Sequence, residues 1–111
     1  MEMTLSEVQD NAVRIALNGR LDTPGVDAIE SKFAVAAKNR NAVVDLSEVS
    51  FLASMGIRMF FSSARVLKTT GCKMILVAPQ ALVGEVLENS GVSQIIPVVA
   101  DQEQALALLR Q

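Results

Sequence analysis

Ser54, Asp22 and the single cysteine Cys72 are the side chains on which local chemistry could be built, and the partners most enzymes need are missing around them. The chain has no histidine, so neither a Ser–His nor a Cys–His nucleophile pair can form, and no metal can be held by imidazole. One cysteine excludes an internal disulfide and any multi-cysteine zinc site. Cys72 fits a reducing compartment and reads as a small buried hydrophobe at a strand start. Tyrosine and tryptophan are absent too, and the six glycines (Gly19, Gly25, Gly56, Gly71, Gly84, Gly91) stand too far apart for a glycine-rich phosphate loop. Carboxylates and lysines remain, but no spacing singles out a pair for acid–base work. The expectation is a chain that is not an enzyme and needs no cofactor or metal. What these residues can do is local: Ser54 stands where a helix N-cap should be, and Asp22, just before Thr23-Pro24, can accept backbone bonds in a turn. Gly56 permits close approach of backbone or of a phosphate at a helix start, or simple close packing.

The elements that must position these residues are bounded by composition. At 111 residues, half of them apolar and 20% charged, the chain has room for one domain, residues 1–111, with one core. The net charge is −2 with basic residues scattered, which offers no footprint for nucleic acid or an anionic membrane. No apolar run approaches the roughly 20 residues of a membrane helix, and Met1-Glu2-Met3-Thr4 lacks a signal-peptide pattern, so a soluble, cytoplasmic protein without membrane insertion is expected.

Alternation in Thr4–Val8 and Val13–Leu17 predicts an antiparallel hairpin turning at Asp10-Asn11. Thr23-Pro24 predicts a helix start capped by Thr23, running to about Lys38 with Val26, Ile29, Phe33 and Ala37 inward. Two unbroken apolar runs, Ala42–Leu46 and Lys73–Val77, read as central strands of a parallel pair, joined by a helix from Ser54 to Thr70 that Gly71 ends. Pro79 should open a further helix with Leu82, Val83, Val86 and Leu87 inward. Ile95–Val99 reads as a last strand that Pro97 confines to a sheet edge or to very few residues. Asp101 and Gln104 form a capping box for a final helix through Ala105, Leu106 and Leu109. The order ββαβαβαβα gives an α/β fold: a mixed sheet with an N-terminal hairpin and helices packed on it. Ligands of open α/β sheets gather at the C-terminal ends of the strands, which directs attention to Gly19–Thr23 and Ser47–Gly56.

The stretch Val43-Val44-Asp45-Leu46-Ser47, continuing through Phe51-Leu52-Ala53-Ser54-Met55-Gly56-Ile57, resembles the signature of the STAS domain, the sulphate-transporter and anti-sigma-factor-antagonist family. That signature is an apolar strand ending Asp-Leu-Ser, an apolar pair, then Asp-Ser-Ser/Thr-Gly-Leu opening a helix. The likeness extends to Leu17-Asn18-Gly19-Arg20-Leu21-Asp22 and to Leu87-Glu88-Asn89-Ser90-Gly91-Val92, so it spans essentially the whole chain and implies a STAS-like fold. In bacterial anti-sigma factor antagonists the serine at the place of Ser54 is phosphorylated by an anti-sigma factor that is also a serine kinase. The resemblance thus implies partner switching: the unphosphorylated form binds the kinase and frees a sigma factor, phosphorylation at Ser54 releases it, and a phosphatase could reset it. Asp22 matches an acidic position beside that loop. Ala53 and Met55 depart from the pattern, standing where the family has Asp and Ser or Thr.

A second reading stays open, a STAS scaffold or accessory subunit of a lipid or anion transport system that is never phosphorylated. In either case a protein partner is expected to dock near Ser54. Helical spacing puts Met55, Met59, Ser62 and Val66 opposite the apolar stripe Ile57, Phe60, Phe61, Ala64, Leu67, with Arg58 and Arg65 on the rim. Adaptable methionines and arginines suit an interface. The expected partner-binding set is therefore Asp22, Ala53, Met55, Gly56, Arg58, Met59 and Ser62.

Overall fold

A computed structural model of the chain describes residues 1–9 and 11–111. The elements are β1 (Glu2–Val8), β2 (Ala12–Leu21), α1 (Thr23–Ala36), β3 (Asn41–Leu52), α2 (Ser54–Thr69), β4 (Met74–Val77), α3 (Ala81–Asn89), α4 (Val92–Ile95), β5 (Val98–Val99) and α5 (Gln102–Leu109). The expected order and fold class hold, with the single turn α4 added before β5. One sheet runs in the order β1-β2-β3-β4-β5, its first pair antiparallel and the rest parallel. Of the expected hairpin turn, Asp10 lies outside the described residues, and Asn11 adopts a positive φ of 55°, which asparagine tolerates better than most residues.

The period-2 alternation of the strands divides the chain between two faces. Val13, Ile15, Leu17, Val44, Leu46 and Leu76 point to the face covered by the helices before β5, where they meet Val26, Ile29 and Phe33 of α1 and Phe60 and Leu67 of α2. The rings of Phe33 and Phe60 meet with centroids 5.9 Å apart and planes at 56°, a tilted arrangement that ring quadrupoles favour. Ala12, Val43, Ile75 and Val77 point the other way, against Ala105 of α5. That second face is only partly covered. Arg14 and Asp45, which share its alternation, form an ion pair there that is mostly shielded from solvent.

Both strands that lead to the site are longer than their apolar runs. β2 continues to Leu21 and β3 to Leu52, and after two register shifts, each adding one residue on the β3 side, the extensions pair Arg20 with Phe51 and Leu21 with Leu52. The segment Ser47–Leu52, expected as loop, is therefore strand. Its pairing with β2 satisfies its backbone groups, although its apolar residues do not alternate as a strand's usually do.

The later helices differ in detail from expectation. α3 starts at Ala81 with Gln80 as its N-cap, and Leu82, expected inward, is 71% exposed. Ile95 ends α4 and is 69% exposed, which leaves β5 two residues long at the sheet edge. The Pro97 carbonyl accepts from the Leu76 N–H at 2.9 Å, so the proline contributes its acceptor where it lacks a donor. At α5 the Asp101 carboxylate accepts from the Gln104 N–H at 2.9 Å, while the Gln104 side chain accepts from Ala100 N–H, one residue earlier than an ideal capping box. Among the described residues no helix is long and apolar enough to cross a membrane.

Candidate functional site

Because β2 and β3 are parallel neighbours and each is followed at once by a helix, the starts of α1 and α2 lie side by side at one end of the sheet. The Ala53 N–H donates to the Leu21 carbonyl at 3.1 Å and ties the two turns together. Two glycines permit close approach here: Gly25 lets the first turn of α1 fold back on the end of β2, and Gly56 lets α2 pack on Leu52 and on Leu21 of the neighbouring strand. A Cβ on Gly25 would lie 1.9 Å from the Arg20 carbonyl oxygen, and one on Gly56 would lie 2.6 Å from Leu52 Cδ1 and 3.1 Å from Leu21 Cβ. Of the two roles open to Gly56, close packing is the one its buried surroundings provide.

Asp22, not Thr23, caps α1. Its carboxylate accepts from the Gly25 N–H at 2.9 Å and from Arg20 Nε at 3.2 Å. The Gly25 bond, aided by the arginine, holds the Asp22 carboxyl below the ordinary aspartate range. Thr23 is the first helical residue, so its hydroxyl comes one position too late to cap. The Arg20 guanidinium also lies over the Phe51 ring, 4.2 Å from its centroid, a cation–π contact set by the strand register that pairs them. Phe51 is 38% exposed, so this pair forms a surface feature beside the helix starts. Arg20 and Phe51 are not among the expected site residues; the register shifts put the buried residues of the β3 extension three apart, at Val49 and Leu52, so no alternation marks the pair.

Ser54 does not cap α2. The N-cap is Ala53, which has no side-chain acceptor, and Ser54 is the first helical residue, with its side chain exposed. The capping expectation fails because the chain stays extended one residue less than the serine would need. An accessible hydroxyl thus sits at the start of a 16-residue helix whose first N–H groups have no side-chain acceptor among the described residues.

The remaining expected contact residues divide. Arg58 and Ser62 are exposed and continue the line from Ser54 along α2, whereas Met55 is half-buried against the core. Met59 is corrected outright: it is 4% exposed and belongs to the core. The buried seam of α2 is Gly56, Met59, Phe60, Ser63 and Leu67. It is rotated from the predicted stripe because Gly56 and Ser63 are small enough to face the interior without being strongly apolar. Ile57, Phe61 and Ala64 are left half-buried on the flank.

This geometry has counterparts. The sequence profile of the STAS domain family matches residues 4–105. BtrV of Bordetella bronchiseptica, provisionally named an anti-sigma factor antagonist, is 27% identical over 112 residues, covering 99% of this chain and 96% of that protein. SpoIIAA, an anti-sigma factor antagonist and Bacillus cell fate determinant, has been solved in two forms. Its unphosphorylated form is 26% identical with a TM-score of 0.80, covering 98% of this chain and 96% of that one. Its phosphorylated form is 25% identical with a TM-score of 0.72, covering 98% and 100%. A likeness of fold alone extends to the murine anion transporter Slc26a9, at 16% identity and a TM-score of 0.75, covering 96% of this chain and 21% of the transporter. With a profile match that runs from β1 into α5 over this sheet order, the chain belongs to the STAS domain family.

Proposed function

We propose that this STAS domain is an anti-sigma factor antagonist: it binds a kinase-type anti-sigma factor while Ser54 is unmodified and loses that partner when Ser54 is phosphorylated. The observation that carries the reading is the exposed Ser54 hydroxyl at the first position of α2, where the family signature has its phosphorylated serine. SpoIIAA, which exists in both phosphorylated and unphosphorylated forms, and BtrV, by its name, support the same direction.

The surroundings of Ser54 suit such a switch. A phosphate carries about −1.5 to −2 charges and three acceptor oxygens, and at a helix start it meets N–H groups and the positive end of the helix dipole. The fold should tolerate it. A partner surface built around a neutral hydroxyl should not, because an unpaired phosphate pressed into an interface is desolvated without compensation. Arg20, Phe51, Arg58 and Ser62 surround or continue this surface and are the contacts we assign to the partner, with Asp22 holding the α1 turn beside them. In this account the protein regulates and does not catalyse, it acts in the cytoplasm, and a phosphatase restores the unmodified form.

The departures Ala53 and Met55 favour a second reading, a STAS accessory subunit of a lipid or anion transport system that binds constitutively. Intact-mass measurement after incubation with the cognate kinase-type anti-sigma factor and ATP separates the two. One added phosphate that maps to Ser54 supports the switch; an unmodified chain, or a phosphate elsewhere, removes it in favour of the constitutive subunit.

A further inference from the structure

The flank of α2 that faces away from α1 borders a cavity of about 740 Å³, inside the roughly 300–1,000 Å³ range of small-molecule sites. Its apolar wall comes from Phe61 and Ala64 of α2, Met74 at the start of β4, and Ile96 and Pro97 on the way to β5. The fold explains why it is open. α4 has four residues and β5 two, so among the described residues the elements beside the C-terminal half of α2 are too short to cover it. Phe61 and Ala64, which the helical pattern marks as core, are consequently only half-buried, and Ile95 stands 69% exposed at the mouth.

The rim has one sign of charge. Among the described residues Arg65, Lys68 and Lys73 line the cavity and no carboxylate does, although the chain as a whole is acidic at net −2. Among the described residues the ion pairs engage Arg14, Arg20 and Arg40, and none of the three rim cations. An apolar trough edged by unpaired cations is complementary to a molecule with a hydrocarbon tail and an anionic head. A nucleotide fits less well, because the lining lacks both a glycine-rich turn and the polar groups that read a base.

From these observations we infer that the cavity is a binding site for an alkyl carboxylate, a free fatty acid whose tail lies against Phe61, Ala64 and Pro97 and whose head meets Lys68 and Lys73. The site is independent of the switch proposed above, since Lys68 lies about 21 Å along the α2 axis from Ser54.

The test is an NMR titration of the isotope-labelled full chain with dodecanoate below its micelle concentration, set against dodecyltrimethylammonium, which has the same tail and a cationic head. Saturable shifts are expected at the amides of Ala64, Lys68, Cys72 and Ile95 and not at Asp22 or Ser54. The cationic amphiphile should bind at least about tenfold more weakly, as should dodecanoate to the Lys68→Glu/Lys73→Glu variant, whose two exposed positions leave the core untouched. Ser54→Ala should bind dodecanoate like the parent, which keeps this result separate from the phosphorylation reading. Absence of saturation, shifts that map elsewhere, or equal affinity for both head groups overturns the proposal.

Discussion

Helix α2 begins without a side-chain acceptor, and Ala53 is the residue positioned to supply one. Its backbone is extended, with φ −118° and ψ −178°, the conformation an N-cap residue adopts. The substitution Ala53→Asp therefore needs no backbone change; it adds a carboxylate that can accept from the N–H of Met55 or Gly56. Losing such a cap commonly destabilises by about 0.5–2 kcal/mol, so gaining one should return a similar amount. Negative charge at a helix start adds about 0.3–1 kcal/mol at exposed sites, and the two effects overlap, giving about 1–2 kcal/mol together. For a chain of this length each kcal/mol moves Tm by about 4 °C, so a rise of about 4–8 °C is expected. Scanning calorimetry gives Tm, and urea unfolding should show a higher midpoint at unchanged slope. Ala53→Asn, a neutral cap, should retain most of the gain, which separates hydrogen bonding from charge. A Tm equal to or below that of the parent would refute the assignment of Ala53 as a vacant cap.

Three further outcomes follow from the same geometry. Met59→Ala should destabilise by about 2–5 kcal/mol by opening a cavity beneath α2, and Met59→Asp by more, as urea unfolding would record; an unchanged midpoint would return Met59 to the surface. Gly25→Ala should destabilise by about 1–3 kcal/mol or more, because its Cβ meets the Arg20 carbonyl, which can yield only if the α1 turn shifts; a Tm like the parent's would contradict that close approach. Asp22 has its carboxyl held below the ordinary value of 3.8, so its contribution to stability is fully present above that pH and is lost as pH falls through the lower folded value. Carboxyl NMR titration should show that depressed midpoint, and Asp22→Asn should remove its share of the acid dependence; a midpoint at or above 3.8 would contradict the Gly25 bond.

What could be read in the sequence was whatever a short window determines. The hairpin, the α1 stripe and the two central strands are each written in local alternation or helical spacing, and all appear where the pattern puts them. Features set by pairing between distant segments were hidden. Ser47–Leu52 is strand because β2 extends alongside it, and the Arg20–Phe51 contact exists only through that register. The orientation of α2 departs from its helical pattern for a related reason: apolar character marks Ile57 and Phe61 for the interior, yet small Gly56 and Ser63 let the helix settle with Met59 inside. The one-residue offsets at Thr23 and Ser54 show that capping residue types reveal where a helix begins more reliably than which residue caps it.

The central claim is that a phosphate on Ser54 controls partner binding without disturbing the fold. The direct measurement is the calorimetric affinity of the kinase-type anti-sigma factor for the unmodified protein and for the protein phosphorylated at Ser54, with Tm recorded for both. The account predicts nearly equal Tm values and an affinity at least about tenfold lower for the phosphorylated form, a difference of about 1.4 kcal/mol or more. Equal affinity of the two forms, or a lower affinity accompanied by unfolding, would contradict it.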